Sequence, residues 1–202
     1  MKKIVIFGAT GNTGLCALYY AVKKGLHVRA FVRDESKIPE GLRNEVEAVV
    51  GDVVNAEQVS KAVSDREGVV VVLGTRNDLS PTTVLSEGLK NIVEAMKRHK
   101  VEKVSLCLSA FLFYEPNAVP VIFKDLNADH RRMLDIIKNS ELKWIAVLPP
   151  HIADSPQTQY IVKYDESPGR VVSKHDLGAF LVDSLVQPEH YGKVCGITSH
   201  TQ

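Results

Sequence analysis

The chain has 202 residues, of which 45% are hydrophobic and 24% charged, and its formal net charge is +1. This balance argues against nucleic-acid or anionic-membrane partners, which need a basic surface, and no apolar run approaches the ~20 residues of a membrane span. The three scattered cysteines indicate neither a disulfide framework nor a structural zinc. We expect one domain, residues 1–202, in the reducing environment of the cytoplasm.

The first predicted element is a strand that leads into a glycine-rich turn. The apolar run Ile4–Phe7 is followed by residues 8–14, Gly-Ala-Thr-Gly-Asn-Thr-Gly, and a helical pattern begins directly afterwards. In such a turn Gly8 allows the tight bend, Gly11 lets the backbone approach a phosphate, and Gly14 lets the helix pack closely on the strand. The motif therefore predicts a site for the diphosphate of a dinucleotide.

Strands and helices alternate along the rest of the chain. The predicted strands are Lys3–Phe7, His27–Val32, Glu47–Val50, Val69–Leu73, Lys103–Leu108 and Lys143–Leu148. Several of these runs are continuously apolar, which is typical of strands covered by helices on both faces. The alternation predicts an α/β fold, a single-domain doubly wound parallel sheet of the NAD(P)-binding Rossmann type.

Two helix starts have capping signals in the sequence. Ser80 and Pro81 predict the N-cap and the first position of a helix with an apolar stripe from Leu85 onward. Ser173 and Asp176 have the spacing of a capping box, which predicts another helix directly after Ser173.

Two segments show no clear periodicity, residues 111–129 and residues 151–170. Both follow predicted strands, and ligands of open α/β sheets bind beyond the carboxyl ends of the strands. We therefore expect both segments to lie over the bound cofactor. The alternative is that they are long surface loops without a binding role.

The residues after the second strand bear on the choice of dinucleotide. Arg33 stands where an NAD-selective site places an acidic residue, with Ser36 and Lys37 close behind it. A guanidinium suits the 2′-phosphate of NADP through two parallel charge-assisted hydrogen bonds. Asp34 is better suited to a turn or a helix cap than to the ribose. The sequence therefore predicts NADPH as the cofactor rather than NADH.

Two more strand ends border the predicted cofactor site. Asp52 and Val53 follow the third strand, where Asp52 is expected to cap the next helix, to contact the adenine end, or to do both. Gly74 and Arg76 follow the fourth strand. A small residue at position 74 lets the cofactor pass, and Arg76 either reaches a phosphate or an anionic substrate or is a surface arginine.

Candidates for the reacting end follow the fifth and sixth strands. Ser109 is the candidate hydroxyl near the hydride path, with a loop cap as the alternative. Cys107 lies two residues before Ser109, so the two side chains point to the same face of the sheet. We expect Cys107 to be a small, buried hydrophobic residue, or a reactive thiol if it is partly exposed beside the nicotinamide. His130 and His151, the latter held after Pro150, are catalytic candidates or surface histidines. No histidine or cysteine cluster indicates a metal.

The chain lacks the Tyr-x-x-x-Lys pair that carbonyl-reducing short-chain dehydrogenases place after the fifth strand. Tyr19/Lys23 and Tyr20/Lys24 have the spacing but lie in the first predicted helix. The acceptor should therefore take a hydride with little help from an enzymic acid, as a flavin, a quinone or a conjugated tetrapyrrole does. A non-catalytic NADP sensor that binds partner proteins is the alternative, and a sugar-nucleotide epimerase is disfavoured because it uses the same tyrosine.

Four segments carry a resemblance to a known family: residues 6–14, 74–83, 149–152 and 173–178. Together they closely resemble the vertebrate NADPH flavin reductases, also called biliverdin-IXβ reductases, of the atypical short-chain dehydrogenase group. The resemblance runs almost from end to end. It implies a monomeric, cytosolic oxidoreductase of heme catabolism that uses NADPH to reduce FMN, FAD, riboflavin and biliverdin isomers of the IXβ type.

The resemblance also implies roles for individual residues. Those implied to hold the cofactor are Thr10, Gly11, Asn12, Thr13, Arg33, Asp52, Val53, Gly74, Arg76, Ser109, His151 and Ile152. Those implied to border the substrate are Ser109, Ala110, Phe111, His130 and His151. The predicted cofactor site is completed by neighbouring residues, namely Gly8, Gly14, Ser36, Lys37, Leu73, Thr75, Cys107 and Pro150. The sequence departs from the family at Lys37, where members carry arginine, and over residues 121–124.

Overall fold

The structure, a computed structural model, describes residues 1–200, and within them ten strands and five α-helices follow one another. The strands are β1 (Lys3–Phe7), β2 (His27–Val32), β3 (Val46–Val50), β4 (Gly68–Val71), β5 (Lys103–Cys107), β6 (Lys143–Leu148), β7 (His151–Ala153), β8 (Tyr160–Tyr164), β9 (Val171–Ser173) and β10 (Lys193–Ser199). The helices are α1 (Asn12–Lys23), α2 (Ala56–Val63), α3 (Val84–His99), α4 (Lys124–Lys138) and α5 (Lys174–Asp183).

Eight of the strands form one sheet in the order β3-β2-β1-β4-β5-β6-β10-β8, and β7 and β9 form a separate parallel pair. Neighbours in the large sheet are parallel except β8, which runs antiparallel to β10. The first six strands have the order of a dinucleotide-binding Rossmann fold. The predicted α/β fold with a doubly wound, mostly parallel sheet is therefore confirmed.

Strand β1 shows why the sheet is covered on both faces. Its side chains alternate, so that Val5 and Phe7 enter the core under α2, α3 and α4, while Ile4 and Ile6 enter the core under α1 and α5. All four are fully buried. A run of apolar residues without alternation is what two covered faces require. Among the described helices, none has the length and apolarity needed to cross a membrane.

The predicted strands β1, β2 and β6 have the observed bounds, and β3, β4 and β5 differ by one or two residues at their ends. Strands β7 to β10 were not predicted. Strands β7 and β8 face solvent along much of their length, which removes the apolar run that marks the central strands. Residues 151–170, predicted to be irregular, therefore contain two short strands.

The predicted irregular segment 111–129 is also partly wrong, because α4 begins at Lys124. Before it the chain makes three short 3-10 turns. The buried face of α4 runs through Asp129, Met133 and Ile137, so a carboxylate stands where an apolar residue is expected. This acidic residue interrupts the apolar stripe by which a helix is recognised in a sequence, so this helix was not predicted.

Helix α3 begins at Val84 rather than after Ser80. The Ser80 N–H donates to the Asp78 side chain (2.9 Å) in a turn that precedes the helix. The first-turn N–H groups of α3 donate instead to the carboxylate of Asp129, which belongs to α4. The cap predicted at Ser80 and Pro81 is wrong because the capping oxygen comes from another helix, and a local pattern does not reveal it.

Helix α5 begins directly after Ser173, as predicted, and the Ser173 hydroxyl accepts a hydrogen bond from the N–H of His175 (3.2 Å). The second half of the predicted capping box does not form. Asp176 is 0% exposed, and its carboxylate accepts hydrogen bonds from the N–H and hydroxyl of Thr158 (both 2.8 Å) and from the hydroxyl of Ser199. Asp176 thus joins α5 to β10 and to the connection before β8.

We expect Asp176→Asn to lower the free energy of unfolding by about 3 kcal/mol, because an amide points an N–H₂ group toward neighbours that are themselves donors. Urea unfolding followed by circular dichroism measures the change. The matched control is Asp135→Asn, the same substitution at an exposed carboxylate on α4, which should stay within about 0.5 kcal/mol. Equal effects of the two substitutions would contradict the role assigned to Asp176.

Candidate functional site

A cleft of about 820 Å³ opens at the carboxyl ends of β1 to β5. It brings together sixteen of the residues predicted for the site: Gly8, Thr10, Gly11, Asn12, Thr13, Gly14, Arg33, Asp52, Val53, Leu73, Gly74, Thr75, Arg76, Cys107, His130 and Ile152. Seven other predicted residues lie outside its lining: Ser36, Lys37, Ser109, Ala110, Phe111, Pro150 and His151. The cleft is large enough for a dinucleotide with part of a second molecule.

The turn after β1 depends on two glycines. Gly8 has a φ of +81°, and a Cβ there would lie 2.1 Å from the carbonyl oxygen of Val72 on the neighbouring chain segment. A Cβ on Gly14 would lie 2.1 Å from the carbonyl oxygen of Gly8. No side chain fits at either position, so the tight bend and the close packing predicted for these residues are both present.

Helix α1 begins at the cleft without a side-chain cap. Its N-cap is Gly11, which has no side-chain oxygen, and the first turn contains no acidic residue. Asn12, Thr13 and Gly14, whose N–H groups precede the first bond of the helix, all line the cleft. Free N–H groups and the positive end of a helix dipole attract an anion, so this end of the cleft suits a diphosphate.

After β2, Arg33 is exposed and lines the cleft, whereas Asp34 is occupied elsewhere. The Asp34 carboxylate accepts hydrogen bonds from the N–H (3.0 Å) and the hydroxyl (2.6 Å) of Ser36. These bonds, with smaller effects of the charges on Lys37 and Arg76, lower the pKa of Asp34 below its usual range. Asp34 is thus the turn cap that the sequence predicted, and the guanidinium of Arg33 is left free for a ligand.

Arg76 comes to the cleft through an uncommon backbone turn. Arg76 and Asn77 both have left-handed backbones, with φ values of 54° and 68°. Such values are rare for residues other than glycine and are concentrated at binding and catalytic sites. The charge of Arg76 slightly lowers the pKa of Asp34, so Arg76 lies on the side of the cleft toward the end of β2. A Cβ on Gly74 would meet no atom within 4 Å, which leaves open space beside β4.

Asp52 and Val53 line the cleft after β3. Asp52 does not cap α2, because the N-cap is Asn55, whose side chain accepts from the N–H of Gln58 (3.1 Å). The Asp52 carboxylate instead accepts from the N–H of Val54 (3.2 Å) and closes the turn between the strand and the helix. The prediction that Asp52 caps the next helix is therefore wrong, and its contact with the adenine end stays a prediction.

Cys107 lines the cleft but is buried, and burial raises the pKa of its thiol to about 12. A thiol with such a pKa is uncharged at neutral pH and is a poor nucleophile. A reactive Cys107 would need a partly exposed side chain and a stabilised thiolate. In the structure the side chain is buried, and burial favours the neutral thiol. The residue acts as a small hydrophobic side chain of the core.

Ser109 caps a turn, which was the alternative reading of this residue. Its hydroxyl oxygen accepts a hydrogen bond from the N–H of Phe111 (3.3 Å) at the start of a 3-10 turn, Ala110–Phe113. Phe111 stacks on Phe123 with ring centroids 5.0 Å apart, and Phe123 lines the cleft. Ser109 thus caps the turn that contains Phe111, and Phe111 packs against a residue of the cleft wall.

Of the two predicted histidines, His130 lines the cleft and His151 does not. Burial lowers the pKa of His130 to about 4, although the negative charge of Asp129 opposes that shift. His130 is therefore neutral near pH 7, and one ring nitrogen carries a proton that it can donate in a hydrogen bond. His151 is exposed on β7, where its N–H donates to the carbonyl of Arg170 (3.2 Å).

Sequence reasoning missed the apolar wall at the His130 end of the cleft. Leu108, Phe123 and Leu126 line this end together with Ile152, which was predicted only as a cofactor contact. The spacing of Leu126 and His130, four residues apart in one helix, was a usable signal, but the segment was predicted to be irregular. Among the described residues no tyrosine or lysine lines the cleft, and no group of three side chains is placed to hold a metal ion.

Comparison with known proteins agrees with this geometry. The sequence profile of the NAD(P)H-binding family matches residues 8–188. An uncharacterized chloroplastic protein of Arabidopsis thaliana is 25% identical over 224 aligned residues, which include 100% of this chain and 78% of that protein.

Two solved structures have the same fold. A short-chain dehydrogenase/reductase of Veillonella parvula in complex with NADP has a TM-score of 0.82 at 16% identity, over 98% of this chain and 94% of the other. A proposed NADH-flavin reductase of Streptococcus pneumoniae has a TM-score of 0.84 at 20% identity, over 99% of this chain and 100% of the other. Because the family profile matches most of the chain, from the glycine-rich turn onward, this protein belongs to the NAD(P)H-binding family and has a Rossmann fold.

Proposed function

We propose that this protein is an NADPH-dependent reductase that delivers a hydride to flat conjugated acceptors, namely free flavins (FMN, FAD and riboflavin) and biliverdin of the IXβ type. One observation carries the proposal: a single cleft has an anion-binding helix start at one end and, at the other, an apolar wall without tyrosine or lysine. A monomeric, cytoplasmic enzyme with small-molecule substrates and no nucleic-acid or membrane partner is part of the proposal.

The residues of the cleft fit NADPH. The uncapped start of α1 would hold the diphosphate, and the open space beside Gly74 would let the dinucleotide pass. Arg33 and Arg76 would hold the 2′-phosphate, because both line the cleft and Arg33 directly follows β2. This distribution of charge supports NADPH over NADH.

The opposite end of the cleft fits a flat, conjugated molecule. Leu108, Phe123, Leu126 and Ile152 offer apolar contacts to the face of a ring system, and His130 adds one neutral hydrogen-bond donor. A simple carbonyl needs an acid to protonate its oxygen as the hydride arrives, and this end of the cleft has none. A flavin or a linear tetrapyrrole spreads the added charge over a conjugated system.

When bound, NADPH supplies the hydride. The contribution of the chain is to hold the two molecules in contact and to exclude water from the reacting face. His130 orients the acceptor through its N–H and cannot act as an imidazolium acid, because burial lowers its pKa to about 4. The proton that balances the transferred hydride therefore comes from water.

We expect the purified protein to consume NADPH when FMN or biliverdin IXβ is present, because both are conjugated acceptors of the kind that the apolar end fits. The loss of the reduced-nicotinamide absorbance band measures the reaction. A simple ketone is the matched control and should give no consumption above background. Binding of NADPH without consumption by any of these acceptors would contradict the reductase and favour a non-catalytic NADP sensor.

Arg33→Ala should weaken NADPH binding by roughly 10- to 100-fold, because it removes charge-assisted hydrogen bonds to the 2′-phosphate. NADH, which lacks that phosphate, should lose less than about threefold. Calorimetric titration with both dinucleotides measures the difference. The matched control is Arg98→Ala on the exposed C-terminal turn of α3, which should change neither affinity. Equal losses for NADPH and NADH at Arg33 would refute the phosphate contact.

The turnover number of the wild-type protein should stay constant between about pH 5.5 and 8, because a histidine with a pKa of about 4 remains neutral throughout that range. His130→Gln retains a hydrogen-bond donor, so it should reduce turnover by less than about tenfold and leave the shape of the profile unchanged. Steady-state rates with saturating NADPH and FMN measure both quantities. A sigmoidal step near pH 6.5 that His130→Gln abolishes would show that an imidazolium donates the proton.

A further inference from the structure

Asp129 is a charged residue in the interior, and its carboxylate is fully engaged. The side chain is 0% exposed, and it accepts hydrogen bonds from the N–H groups of Leu85 (3.1 Å) and Ser86 (3.3 Å) at the start of α3. The hydroxyl of Ser86 and the Nε of Arg132 (3.1 Å) donate to its other oxygen. A buried carboxylate is costly unless such partners are present, so this cluster has one well-defined geometry.

The two arginines that follow His130 attach α4 to both loops that border the cleft. Arg132 donates to the carbonyl of Thr82 (2.7 Å), just before α3, and Arg131 donates to the carbonyl of Leu112 (3.1 Å), in the turn after β5. His130 lies in the sequence between Asp129 and these two arginines, and it lines the cleft. The height and rotation of α4 against α3 therefore set where the imidazole reaches into the cleft.

Each of these bonds restricts the placement of α4 in a different way. The charge of Asp129 faces the positive end of a 16-residue helix, an attraction that favours one distance along the α3 axis. The paired bonds to two successive N–H groups favour one rotation of α4. A shift of α4 by one residue would leave the carboxylate buried without its donors.

We propose that Asp129 is a positioning residue, which holds the start of α3 against α4 and thereby places the His130 imidazole at the acceptor end of the cleft. The inference rests on the proposed function, in which His130 orients the acceptor. Asp129 itself does not line the cleft, so it acts through its neighbour rather than on the acceptor.

A double-mutant cycle between Asp129 and His130 tests the proposal. Asp129→Asn and His130→Ala should each lower kcat/KM for FMN by roughly tenfold, and the double variant should be no worse than His130→Ala alone. The dissociation constant of NADPH should change by less than about twofold in all three, because the anion-binding end is separate. The matched control is Asp135→Asn, an exposed carboxylate of the same helix, which should behave as the wild type.

A purely structural role would lower stability but give additive losses of kcat/KM, and that result would overturn the proposal. So would a His130→Ala variant with unchanged turnover. In both cases the wild-type protein would still consume NADPH, so the proposed function would survive. If the wild type consumes no NADPH, the function fails, and the positioning role is judged by the NMR signals of the His130 ring.

If Asp129→Asn does not fold, Ser86→Ala replaces it, because it removes one donor to the carboxylate and leaves the charge in place. This variant should lower kcat/KM by roughly threefold, and the loss should vanish in the His130→Ala background. It should also shift the ring signals of His130, although residue 86 lies on another helix. Unshifted His130 signals in a folded Ser86→Ala protein would refute the link between the two residues.

Discussion

The close approach of two backbone segments, at Gly14 and Gly8, is the constraint on which the remaining architecture depends. Because a Cβ on Gly14 would lie 2.1 Å from the Gly8 carbonyl oxygen, α1 can begin directly at the end of β1. Strand β1 is central, with β2 on one side and β4 on the other. The uncapped N–H groups of α1 therefore open into the middle of the carboxyl edge, where the ends of the neighbouring strands contribute the rest of the cleft.

The two ends of the cleft differ in their electrostatics, and this difference separates the end proposed for the cofactor from the end proposed for the acceptor. At the dinucleotide end, Arg33 and Arg76 line the cleft beside the uncapped start of α1, so this end presents positive charge to an anion. At the opposite end, burial keeps both His130 and Cys107 uncharged at neutral pH. In the proposed function, charge attraction would supply affinity for the cofactor, whereas apolar contact and proximity would serve the transfer of hydride to a conjugated acceptor.

Two buried carboxylates stabilise the starts of α3 and α5. Asp129 accepts hydrogen bonds from N–H groups at the start of α3. Asp176, at the start of α5, accepts hydrogen bonds from Thr158 and Ser199. Each joins segments that are far apart in the sequence, and each costs free energy unless every donor is present. Such groups favour one arrangement of the joined elements over near alternatives.

The sequence by itself was sufficient for features that depend on neighbouring residues: the apolar strands β1 to β6, the glycine turn, the turn cap at Asp34 and the N-cap at Ser173. Strand and turn preferences are local, so they are visible in a short window of sequence. Only the tertiary structure decided that His130 rather than His151 reaches the cleft, that Cys107 is too deeply buried to ionise, and that Asp129 caps a helix to which it does not belong. These properties arise from contacts between distant segments, and no local pattern contains them.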